Sequence, residues 1–169
     1  MRRIDFIVVH YTATPPNMNP SVSEIDRWHK QAGSRGFGYH WYIDRNAKLW
    51  EGRPEEQVGA GVRGHNQNTI HVCWAGGIEK DPNVGVWNPT PDQERELVRL
   101  LKNIKQRYPK ARVVGHRNLG PSQCPGRDDV EQWFAQQNNT TPNTSNWLIE
   151  LIRSIFNGKG IDRKTNPVP

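Results

Sequence analysis

An α/β sheet covered by helices is the fold class this sequence predicts, on three observations. Short apolar, β-branched runs ("FIVV", "TIHVC", "RVV") are separated by stretches whose apolar residues recur at three- and four-residue intervals. These strand and helix patterns follow one another in mixed order, which suits helices packed on a sheet. Two of the expected strands end in histidine, at His10 and His116. If those strands lie parallel in one sheet, both histidines share the edge where open α/β sheets generally place their ligand sites.

Each element has a local reason. "IDFIVVHYTAT" opens with a buried-strand run ending near His10. "SVSEIDRWHKQAG" places Ser21 and Glu24 in capping-box spacing, puts Val22, Ile25 and Trp28 on one helical face, and stops at Gly33. "GYHWYIDRNAKLWEGRP" reads as a hairpin with an aromatic strand, a turn around Asp44–Ala47 and a return through Leu49 and Trp50. "TIHVCWAGG" is a further strand closed by two glycines. "TPDQERELVRLLKNIKQRYP" is the clearest helix, with Thr90 as cap, Pro91 in the first turn, Gln93 completing the box and a stripe of Leu97, Leu100, Leu101 and Ile104. "ARVVGH" is a strand ending at His116, and "RDDVEQWFAQQ" a helix with acidic residues near its start.

The composition changes after Gln137. The expected organisation is one domain over residues 1–137, a polar linker over 138–146 ("NNTTPNTSN"), and a short C-terminal helix with a disordered end over 147–169. That helix is read as docking on the domain or self-associating. The domain is long enough to bury a core without disulfides, and two cysteines outside any repeated framework indicate reduced thiols. Asp5 interrupts the N-terminal apolar run, so a secretory signal is not expected, and no apolar stretch reaches the roughly 20 residues of a membrane span. The expectation is a chain made in the cytoplasm without a classical signal. Its net charge of +6 favours an anionic partner. The basic residues are interleaved with acidic ones, not clustered with aromatics as nucleic-acid binding would need.

His10, His116 and Cys124 form a candidate metal set. Imidazole nitrogen and thiolate sulfur suit Zn²⁺, and three protein ligands leave a fourth position for water, the catalytic rather than the structural arrangement. Glycines and prolines at Gly115, Gly120, Pro121 and Pro125 would fold the chain back so that Cys124 meets His116. Spacing alone leaves a second reading open: a strand-end histidine bonded to a carbonyl and a small buried cysteine.

Six stretches in order carry a resemblance: "FIVVHYTAT", "WHKQAGSRGFGYHWYI", "LWEGRP", "HNQNTIHVCWAGG", "TPDQERELVRLL" and "VVGHRNLGPSQCPG". Together, from about Arg3 to Gln136, they resemble the zinc-dependent N-acetylmuramoyl-L-alanine amidases of the type 2 family, which takes in phage lysozymes and peptidoglycan recognition proteins. The resemblance implies a central mixed β-sheet flanked by helices, Zn²⁺ on His10, His116 and Cys124, and a catalytic tyrosine at Tyr39. It implies hydrolysis of the bond between N-acetylmuramic acid and L-alanine, plausible for a phage or prophage endolysin that reaches the wall at lysis. A second catalytic position, often Lys or Thr in the family, is Ser122 here, which is shorter and uncharged. Family members lacking the cysteine bind peptidoglycan without cutting it, so Cys124 favours the enzyme over a binding module. His65 and Asn66, in a loop over the sheet, and Trp41, one of seven tryptophans, are expected to contact substrate. His71 stands where the family usually has glycine, and sequence offers no account of it. His29 and His40 are expected to be structural, with His40 facing away from Tyr39, and Cys73 to be a small buried hydrophobe.

Overall fold

Phe6–Tyr11 forms β1, and its four central residues are buried on both faces, as an inner strand of a helix-covered sheet requires. The computed structural model describes residues 2–139, and its compact unit ends at Gln137. The other strands are β2 (Trp41–Ile43), β3 (Leu49–Glu51), β4 (Thr69–Trp74) and β5 (Arg112–Gly115). Their order across the sheet is β3-β2-β4-β1-β5. β1 runs parallel to β4 and β5, and β2 parallel to β4, while the hairpin partner β3 is antiparallel. The sheet is therefore mixed.

Helix α1 (Val22–Gln31) begins with the expected box: Glu24 N–H donates to Ser21 Oγ at 3.3 Å and Ser21 N–H to Glu24 Oε2 at 2.7 Å. Gly33, at φ +84°, takes the chain out of it. Helix α2 (Pro91–Arg107) is capped by Thr90 and Gln93 in the same way. In the hairpin turn Asp44 Oδ1 accepts from Asn46 and Lys48 N–H at 2.9 and 3.0 Å.

Alternation along the strands sorts side chains between two layers. Ile7, Val9, Ile43, Ile70, Val72, Trp74 and Val113 face α2 and α3 (Val130–Asn139), meeting Leu97, Leu101, Ile104, Trp133 and Phe134. On the other face Tyr42 and Cys73 meet Ile25 and Trp28 of α1, while Val8 and Val114 meet Val62. His10 lies two residues beyond Val8, and His71 two before Cys73, so both histidines belong to the α1 face. Among the described residues no helix is long and apolar enough to cross a membrane.

Two boundaries differ from the sequence reading. β5 stops at Gly115, and His116 opens a 3₁₀ turn, because Leu119 N–H folds back to His116 C=O at 3.0 Å and Asn118 Oδ1 takes Gly115 N–H at 2.8 Å. α3 takes in Asn138 and Asn139, the first residues expected to be linker. The remaining linker and the C-terminal helix of 147–169 lie outside the described residues.

Candidate active site

β1 and β5 are parallel neighbours, so their C-terminal ends lie side by side and bring His10 to His116, with ring centroids 5.0 Å apart. Cys124 reaches them through a loop closed on itself: Arg117 N–H donates to Cys124 C=O at 2.8 Å. Gly115 allows this closure, since a Cβ there would fall 2.6 Å from Pro125 Cδ. Cys124 N–H donates to Ser122 Oγ at 3.1 Å, and its Sγ accepts Tyr11 N–H at 3.3 Å. Sγ is then 3.7 Å from His10 Nδ1.

One ligand atom from each of His10, His116 and Cys124 lies within 4.8 Å of the others. A tetrahedral zinc with bonds near 2.0–2.3 Å sets its ligand atoms about 3.5 Å apart. The His10–Cys124 separation already matches, and small side-chain adjustments bring in the third ligand. Burial lowers the pKa of His10 well below the usual imidazole value, with His71 and His116 adding to the effect, and burial lowers His116 too. Both therefore offer neutral lone pairs near neutral pH. Burial pushes the Cys124 thiol up to about 12. Metal binding must expel that proton, so the donor set gains affinity as pH rises.

The tyrosine of the "GYH" stretch joins this group. Tyr39 lies 5.2 Å from the His10 ring, centroid to centroid, with His29 edge-on at 5.0 Å and Phe37 at 5.6 Å. His29 Nδ1 accepts Gly38 N–H at 3.0 Å, which fixes the backbone just before Tyr39. Burial raises the Tyr39 pKa well above its ordinary value, so the phenol stays a proton-bearing donor. Cys73 is fully buried, as expected, on the same face.

His40 does not sit across the sheet from Tyr39. Both residues precede β2, which starts at Trp41, so strand alternation does not govern them. His40 stacks on His71 at 5.7 Å and 22°, accepts His71 N–H on Nδ1 at 2.9 Å and meets Gln57 C=O through Nε2 at 3.0 Å. Burial depresses its pKa from 6.5 to about 4. The folded state thus disfavours a proton that the unfolded chain accepts below pH 6.5. This stabilisation is complete above pH 6.5 and is lost as pH falls through about 4, amounting to roughly 2–3 kcal/mol by pH 4.5. Urea unfolding of the chelator-treated protein from pH 7 to 4.5 should show it. In His40→Asn, which keeps the acceptor for His71, the slope of stability against pH should be shallower by about one proton. An unaltered slope would remove His40 as the source.

The three residues expected to contact substrate take different places in the fold. Trp41 is on the α2 face, donating to Glu55 Oε1 at 2.8 Å, because it pairs with Val72, which points away from His71 and Cys73. The His65 ring packs edge-on against Phe6, at the opposite end of β1 from His10. Asn66 acts through the backbone: its Oδ1 accepts Gly61 and Val62 N–H at 2.9 and 2.8 Å. That holds Gly61 over the histidines, where a Cβ would stand 2.5 Å from His71 Nδ1 and 2.9 Å from His10 Nε2. Gly61→Ala is expected to cost about 1–3 kcal/mol by overpacking. It should also weaken metal binding, as read by urea unfolding and a zinc competition titration. A substitution neutral in both would mean the rings have room that the packing does not show.

Sequence reasoning missed His71, whose fully buried ring puts Nδ1 3.0 Å from His10 Nε2. A polar residue inside a fully buried strand was the available signal. It also missed the part His29 plays under Tyr39.

Known proteins resemble this chain throughout the same region. The family described as N-acetylmuramoyl-L-alanine amidase matches residues 1–127. The endolysin of Enterobacteria phage K11 is 38% identical over 125 residues, covering 74% of this chain and 82% of that protein. The endolysin of Escherichia phage T7 is 36% identical over 137 residues, covering 81% and 89%. Among solved structures, the N-acetylmuramoyl-L-alanine amidase LysC from Clostridium intestinale URNW superposes with a TM-score of 0.69 at 27% identity, covering 83% of this chain and 88% of that one.

Proposed function

The chain belongs to the N-acetylmuramoyl-L-alanine amidase family, and from that premise we propose the chemistry of its site. It is an enzyme that hydrolyses the amide joining the lactyl group of N-acetylmuramic acid to L-alanine in peptidoglycan. Zinc is the metal that the donor set favours, since two neutral imidazoles and a thiolate are borderline-soft ligands and three of them leave a position open. When bound, zinc supplies polarisation of the amide carbonyl and activation of water near neutral pH.

The chain's own residues do the rest. The loop from His116 to Cys124 holds its shape through the Arg117, Asn118 and Ser122 hydrogen bonds, so the ligands need little rearrangement. Tyr39, neutral and held by three rings, donates its hydroxyl proton to the oxygen that gains charge as the amide carbon becomes tetrahedral. Ser122 already accepts Cys124 N–H, so it keeps its own O–H free to donate. It serves first to orient Cys124 and second to assist that oxygen. The similarity to phage endolysins supports a lytic role in which the enzyme meets the wall from inside the host at lysis.

The observation that carries this reading is the convergence of His10, His116 and Cys124 at one edge of the sheet. Its test is digestion of purified peptidoglycan by the zinc-loaded protein, with and without chelator, and mass spectrometry of the products. Free stem peptides beginning with L-alanine, absent after chelation, are expected. Intact wall that still retains the protein would instead make it a binding module.

A further inference from the structure

We propose that His71 is a positioning residue for the metal site, its Nδ1 accepting the Nε2–H of His10 and so holding His10 in the tautomer whose Nδ1 lone pair faces Cys124. The inference rests on the metal-site reading of His10, His116 and Cys124.

A neutral imidazole carries one proton on its two nitrogens. His10 Nδ1 is the atom beside Cys124 Sγ, at 3.7 Å, and must be bare to hold a metal. The proton then belongs on Nε2, 3.0 Å from His71 Nδ1, which must accept it. That assigns the His71 proton to Nε2, a buried atom with no hydrogen-bond partner among the described residues. Leaving an N–H unmatched is unfavourable, and an apolar side chain at this fully buried strand position would avoid it. What histidine adds here is an acceptor aimed at His10. Metal-bound histidines generally need such a partner on their second nitrogen. An imidazole provides it without adding a charge to a buried site.

The His71 ring is held on every side that matters. Its own backbone N–H is bonded to His40 Nδ1, its face is stacked on His40, and His40 is tied to Gln57 C=O. Across the ring, a Cβ on Gly59 would fall 2.5 Å from His71 Cδ2, and one on Gly61 2.5 Å from its Nδ1. The two glycines let the backbone close over the ring and pack against it at both Cδ2 and Nδ1.

The test compares zinc affinity, by competition with a chromophoric chelator, in the full chain and in two variants of similar size. His71→Leu removes the acceptor and should bind zinc about 10–100-fold more weakly. His71→Asn, whose Oδ1 stands near the Nδ1 position, should recover most of that loss. Leu equal to the unmodified protein, or Asn as weak as Leu, would overturn the inference. Should the Leu variant fail to fold, ring ¹⁵N–¹H correlations of the zinc-loaded, unmodified protein decide. Protons on Nε2 of both His10 and His71 are expected, and a proton on His71 Nδ1 would overturn the assignment. A protein that binds no zinc defeats the metal-site reading and this inference together. One that binds zinc with the expected tautomers but leaves the wall intact defeats only the amidase reading.

Discussion

Cys124→Ala should lose peptidoglycan hydrolysis by a factor of about 10³ or more, because it removes one of three metal ligands and the only anionic one. The fold should survive. Apart from its place beside the histidines, the Cys124 side chain accepts one hydrogen bond, from Tyr11 N–H at 3.3 Å, and leaving that donor unmatched costs about 1–2 kcal/mol. The variant should therefore stay folded, with a urea midpoint below the zinc-free parent's by that about 1–2 kcal/mol, while the rise in stability that zinc gives the parent disappears. Two measurements check this: turbidity loss of a wall suspension, and unfolding with and without zinc. Retained hydrolysis in Cys124→Ala would take the chemistry away from this cluster altogether.

Tyr39→Phe is expected to lower kcat by about 10²–10³ while leaving KM and zinc affinity close to those of the parent. The ring contacts with His10, His29 and Phe37 do not involve the hydroxyl, so phenylalanine keeps the packing. Besides its hydrogen bond with the buried Cys73 thiol, the hydroxyl supplies the donor to the developing oxygen, and the loss of that donor matters in the transition state rather than in substrate binding. The raised pKa of Tyr39 adds a corollary. Its ionisation should not appear as the alkaline limb of the rate profile near the ordinary tyrosine value. Steady-state kinetics on a soluble muramyl peptide would read both. An unaffected kcat would shift the donor role to Ser122, and a raised KM alone would make Tyr39 a binding residue.

Much of the candidate site is legible in the sequence, and for a physical reason. Ligands at strand ends and a cysteine in a Gly/Pro loop are local features, and parallel neighbouring strands make their C-terminal ends coincide. The capping boxes at Ser21 and Thr90 and the leucine stripe of α2 were equally local, and all appear as expected. The errors lie where a role depends on which face of the sheet a residue takes. The abundance of tryptophans makes Trp41 a candidate groove residue, yet its register opposite Val72 turns it to the helix-covered side. Alternation predicts His40 on the side away from Tyr39, but the strand begins one residue later and alternation does not reach it.

The amino-acid sequence by itself determined the α/β class, the order of elements, the caps and the three metal-binding candidates, since each depends on neighbours in the chain or on motifs in order. Tertiary structure alone decided the histidine chain behind the metal site. His10, His40 and His71 come from separate segments, and nothing in their spacing predicts a 3.0 Å contact between His10 Nε2 and His71 Nδ1. That contact exists because β1 and β4 pair in a register that sets Val8 beside His71 and turns both histidines to one face. Gly59 and Gly61 leave room for the His71 ring, since a Cβ on either would fall 2.5 Å from it.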